Sequence, residues 1–111
     1  MNRVEQYKVN SEAHYIWEEA MDQWLHEDGC YLSVKKLRTC KAVVYETSEY
    51  YILQSYNTPV AVIVKASQTL VDMLRRTYGY TATSAQHIAK FKHDYTSYPY
   101  NHHVLTWREL K

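Results

Sequence analysis

The sequence predicts an α+β fold: an N-terminal amphipathic helix, a three-stranded antiparallel meander, two further helices and a candidate C-terminal strand. Three observations lead there. The stretch "NSEAHYIWEEAMDQWLHEDG" repeats apolar residues at helical spacing, three β-branched and aromatic runs follow between residues 41 and 64, and helical spacing returns after Ser67. At 111 residues the chain suits one domain, 1–111, and alternating blocks of this kind place helices over one face of a sheet.

Each element has its own warrant. The first helix is expected at about 11–28, with Ser11 as cap and Glu12 at the positive end of the dipole. Ala13, Ile16, Trp17, Ala20, Met21, Trp24 and Leu25 form its apolar stripe, and Asp28-Gly29 is the stop. "YLSVKKLRTC" fits either a short strand or an irregular connection. "KAVVYET", "YYILQSY" and "PVAVIV" then read as the meander, with Pro59 opening the third strand or lying on an edge. "SQTLVDMLRRTYGY" reads as the second helix, with Ser67 as cap, Leu70, Val71, Leu74 and Tyr78 as its apolar positions and Gly79 as breaker. A third helix follows, capped by Thr83 with Gln86 at capping-box spacing and burying Ala85, Ile88 and Ala89, so that His87 and Lys90 point outward. In the tail, 96–111, Pro99 is punctuation and "HHVLTW" is the candidate last strand.

Composition narrows the classes. Twelve tyrosines and three tryptophans against one phenylalanine favour half-buried strands and interfaces. Two glycines and two prolines leave no room for a flexible linker. No apolar run reaches the roughly 20 residues of a membrane span, and the first residues lack a signal-peptide core, so a cytoplasmic protein without a membrane partner is expected. Cys30 and Cys40 lack metal or redox spacing and read as free thiols. Charge is polarised: residues 1–29 carry seven acids against two basic residues, a net of −5, and the remainder eleven basic residues against five acids, a net of +6. Such asymmetry marks two faces with different partners, unless the helix folds back on a basic sheet and neutralises it.

Two constellations stand out. The second and third helices, with Gly79 between them, have the outline of a helix-turn-helix in which Thr83, Ser84, Gln86, His87 and Lys90 face the groove and Arg75 and Arg76 reach phosphates. Plain packing of two helices gives the same pattern, and Arg75 sits where such a crossing wants a small residue. On the first helix, Glu18, Asp22 and His26 recur every four residues with Glu19 beside them. Such a row is a solvated face, a metal site, or a partner-binding strip that imitates phosphates. A metal site wants converging ligands from several elements, and His102-His103 on a strand point to opposite faces, so neither metal nor cofactor is expected. No nucleophile elbow, zinc-protease helix, P-loop or dinucleotide loop occurs, which points away from an enzyme.

The pieces "SYNTPVA" and "YGYTATSAQHIAKF", within residues 41–95, together resemble a family of small proteins of unknown function from phages, prophages and mobile elements of Gram-positive bacteria. The acidic helix and the tail after Tyr95 lie outside the resemblance. It implies a setting in the host bacterial cytoplasm and action by binding. The function expected is non-enzymatic inhibition of a nuclease-based, anti-CRISPR-like target, a host defence protein or nucleoprotein complex. The alternatives are a DNA-binding regulator and a structural or assembly protein acting as a homo-oligomer, a homodimer in the simplest case.

Overall fold

The computed structural model describes residues 2–26, 33–37, 41–77, 81–96 and 103–110. The first helix, α1 (Arg3–His26), starts eight residues before Ser11. Nothing between Arg3 and Asn10 breaks a helix, and Asn2 supplies the cap. Its Oδ1 accepts the Glu5 N–H at 2.9 Å, and Glu5 accepts from Asn2 Nδ2 at 3.1 Å. Ser11 is therefore an exposed residue within the helix. Ala13, Trp17 and Ala20 bury one stripe, flanked by Ile16, Met21 and Trp24, whereas Leu25 is 71% exposed. The expected stop at Asp28-Gly29, both cysteines, Gly79 with its two flanking tyrosines, and Pro99 lie outside the described residues.

The sheet has six strands in sequence order rather than three. They are β1 (Ser33–Lys36), β2 (Ala42–Glu46), β3 (Tyr50–Ser55), β4 (Thr58–Val64), β5 (Thr69–Asp72) and β6 (His103–Thr106). The expected meander is its centre, β2 to β4. β1 to β5 run antiparallel, and β6, the anticipated last strand, joins β5 in parallel. The long second helix is not formed. Leu70 and Val71 sit on β5 and face opposite layers, and only one turn, α2 (Leu74–Thr77), is helical. A four-residue strand running into one turn of helix is too short to display either period. Ser67 is accordingly no helix cap, and the Asp72 carboxylate accepts the Leu74 N–H at 3.0 Å instead. α3 (Ala82–Tyr95) is capped by Thr81, not Thr83, through the Ser84 N–H at 3.1 Å.

Helices cover both faces of the sheet, not one. On one side α1 packs on Tyr50, Ile52, Val62, Val71 and Leu105, the last four forming a row in register across four strands. On the other, α2 and α3 bury Leu74, Ile88 and Phe91 against Val44, Leu53, Ile63 and Leu70. Double coverage explains why β4 reads as a continuous apolar run. A register shift between Leu53 and Gln54 turns both Val60 and Ala61 to the α3 side. The ends of α1 are tied by side-chain amides. Gln6 donates to the Thr106 carbonyl at 3.0 Å, and Gln23 donates to Glu49 at 3.1 Å while accepting from Thr47.

Candidate functional site

β3 and β4 are joined by the two residues Tyr56 and Asn57, with φ of 50° and 67° and Ser55 paired with Thr58. This is the backbone of a tight hairpin that normally selects Asn-Gly, so a tyrosine in its first position is disfavoured. Packing offsets the cost. The Tyr56 ring lies 5.8 Å from the His87 ring, and Lys41 Nζ rests 5.5 Å from its centroid. Behind it, Ser55 Oγ stands 3.0 Å from Ser84 Oγ and 2.9 Å from His87 Nδ1. The two sequence pieces "SYNTPVA" and "YGYTATSAQHIAKF" thus meet at a buried polar cluster. A hydroxyl beside an imidazole is the pairing that activates nucleophiles, but Ser55 and Ser84 are wholly buried and His87 is 4% exposed. Here the pair locks the hairpin to α3.

α1 crosses the sheet obliquely, from β6 at its start to the β2–β3 turn at its end, and among the described residues no helix covers one corner of that face. Lys36, Val43, Gln54 and Pro59 form a cross-strand row there. A half-open pocket of about 300 Å³ is lined by Lys41, Val43, Gln54, Tyr56 and Asn57. The Tyr45 hydroxyl donates to Gln54 Oε1 at 3.1 Å, which fixes that amide.

On the outer side of α1, Glu12, Glu18, Glu19 and Asp22 are exposed. The buried layer between the helix and the sheet is apolar. Glu19 accepts from the Tyr50 hydroxyl at 3.3 Å. Burial, then the Glu19 and Glu49 charges, push the Tyr50 phenol up to about 12. The exposed Tyr15 phenol is also raised, chiefly by its hydrogen bond to Glu19. Glu18 lies 3.9 Å from His14, which Arg76 meets at 2.8 Å. His26 ends the helix, and its side chain lies outside what is described. Val4, Tyr7, Tyr15 and Leu25 on this helix are between 62% and 71% exposed. Beside them a groove is lined by Tyr7, His14, Arg76, Trp107 and Leu110.

The proposed groove-facing set is divided. Arg75, Arg76, Thr83 and Gln86 are exposed on α2 and α3. Ser84 and His87 are buried in the hairpin lock, so His87 does not point outward. Lys90 pairs with Asp94 at 3.2 Å; burial raises the Asp94 carboxyl, but the contacts with His93 and Lys90 together outweigh it and lower its pKa. Ala89, expected inside, is exposed, and Phe91 takes its place. The pocket residues Lys41, Gln54, Tyr56 and Asn57 escaped the sequence reading; their signal is the short turn "YN" between two strand runs. Among the described residues no three His, Cys, Asp or Glu side chains form a metal-sized cluster, and no helix is long and apolar enough to cross a membrane.

No curated protein and no solved structure matches the chain. Residues 28–103 match a family of unknown function, DUF8033, a span that holds the hairpin, the pocket and α3 and begins after α1. Matched over that span, the chain belongs to this family of unknown function.

Proposed function

We propose that the protein is a non-enzymatic binding protein of a phage or mobile element that inhibits a nuclease-based bacterial defence in the host cytoplasm. Its action is anti-CRISPR-like: the outer face of α1 occupies a surface where the target holds nucleic acid. The observation that carries this reading is the outward display of Glu12, Glu18, Glu19 and Asp22 along the exposed side of α1, opposite the apolar stripe that packs on the sheet. A helix of 24 residues is a rod about 36 Å long, and carboxylates four residues apart stand about 6 Å apart along it. A basic nucleic-acid channel is the complementary partner. Tyr7 and Tyr15 supply the aromatic anchors that protein interfaces favour. The test is the triple variant Glu18→Lys, Glu19→Lys, Asp22→Lys in plaque assays on bacteria carrying nuclease-based defences, with circular dichroism to verify folding. Protection of the phage should disappear; protection equal to that of the parent protein would sink the reading.

A second reading, a DNA-binding regulator, is favoured by the exposure of Arg75, Arg76, Thr83 and Gln86 around α2 and the start of α3. It requires duplex DNA affinity that falls steeply with salt and falls again in Arg75→Ala, Arg76→Ala. Anisotropy titrations at two salt concentrations decide it.

A further inference from the structure

We propose that the uncovered corner of the sheet beside the β3–β4 hairpin binds a nucleotide unit, its phosphate on Lys41 and Lys36 and its base against Tyr56 and Val43. The inference is independent of the α1 face. Both lysines are exposed, and Lys36 is the cross-strand partner of Val43, which puts its side chain on the pocket's side of the sheet. Among the described residues the lining is Lys41, Val43, Gln54, Tyr56 and Asn57, with no carboxylate, a composition that favours an anion over a cation. Gln54 has its oxygen engaged by the Tyr45 hydroxyl, which leaves the amide's N–H donors for a ligand. Asn57 adds an amide able to donate and accept, as the edge of a base requires.

A bare anion would have no use for the ring and the valine floor, whereas a flat heterocycle does. The ring is also set in place beforehand. Tyr56 is held in a disfavoured left-handed conformation by a hairpin anchored through Ser55 to Ser84 and His87. Strain maintained by a buried polar lock, at the rim of a pocket, is the arrangement expected of a recognition site. About 300 Å³ accommodates one nucleotide and not a longer stretch.

The same chemistry comes from a free mononucleotide or from one residue of a single strand, and the test separates them. The ¹⁵N-labelled full chain is titrated with adenosine 5′-monophosphate and, separately, with mixed-sequence single-stranded DNA about ten nucleotides long. The side-chain amide resonances of Gln54 and Asn57 should shift. Comparable affinity for both probes assigns the site to free nucleotides, and response to the oligonucleotide alone assigns it to a strand; either supports the proposal. Lys36→Glu, Lys41→Glu should weaken binding at least about tenfold, and Tyr56→Ala by a similar factor. Absence of shifts with both probes overturns the proposal. So does binding that survives the lysine reversals.

Discussion

Asn10 reads the backbone of Arg108 as a neighbouring strand would: its Nδ2 donates to the Arg108 carbonyl at 2.7 Å and its Oδ1 accepts the Arg108 N–H at 3.1 Å. Because Trp107 donates its N–H to Asp72 on β5, Thr106 and Arg108 present their backbone groups to the opposite, outer side. Gln6 and Asn10 therefore cover part of an open sheet edge that would otherwise recruit another strand. Asn10→Ala should cost about 1–2 kcal/mol, read as a lower urea midpoint at constant m-value.

The Ser55, Ser84 and His87 cluster is buried and polar, so its loss should exceed that of a surface hydrogen bond. Ser55→Ala removes the hydroxyl that faces both partners and should destabilise by about 1–3 kcal/mol. Thr83→Ala, at an exposed position that does not cap α3, should stay within about 0.5 kcal/mol. Chemical denaturation of the two variants side by side checks the contrast.

Tyr50 gives the alkaline limb of stability a named source. Its phenol titrates at about 12 in the folded chain against an ordinary 10.0. A group with a raised folded pKa contributes stability in full below its unfolded pKa and loses it as pH rises through the folded one. That contribution should be present up to about pH 10 and fade toward pH 12. Tyr50→Phe should be within about 1 kcal/mol of the parent at neutral pH and lose stability less steeply across the window. Thermal melts against pH, with the tyrosinate difference spectrum of parent minus variant, measure both.

Asp72 acts in the acid range with the same sign. Burial raises its carboxyl, opposed by the Leu74 N–H and by Arg75 and Arg108. The folded state therefore holds the proton more tightly than the unfolded one. Its contribution is greatest below the ordinary carboxylate pKa of 3.8 and is lost as pH rises through the higher folded value. Asp72→Asn keeps an oxygen to cap α2 and carries no charge. It should match or exceed the parent's stability at pH 7, and the difference should shrink as pH falls toward 4, which melting temperatures across that range would register.

Elements long enough to show a pattern were legible in the chain, and short ones were not. Ala13, Trp17 and Ala20 mark α1, and the runs around Val44, Ile52 and Val62 mark the central strands, because each extends over enough residues to show its face. Leu70, Val71 and Leu74 also satisfy helical spacing, and only the pairing of β5 with β4 and β6 makes the first two a strand. A stripe of Ala85, Ile88 and Ala89 turns His87 outward, yet Ser84, His87, Ile88 and Phe91 also follow helical spacing and are α3's buried stripe. The candidate pocket was hidden for another reason: Lys36, Val43, Gln54 and Tyr56 come together through strand register, which no local window contains.

Sheet order equal to chain order has a consequence for how the molecule assembles. From β1 to β5 every pairing closes a short loop, so the middle of the sheet forms from quick, local events. The bonds from Gln6 to Thr106 and from Asn10 to Arg108 instead join residues 100 and 98 positions apart. On the ribosome α1 emerges before the sheet it packs on, and the partners of its opening turns emerge only with β6. Its C-terminal half docks once Thr47 and Glu49 have emerged, while its opening turns wait for the final strand to complete the cooperative unit.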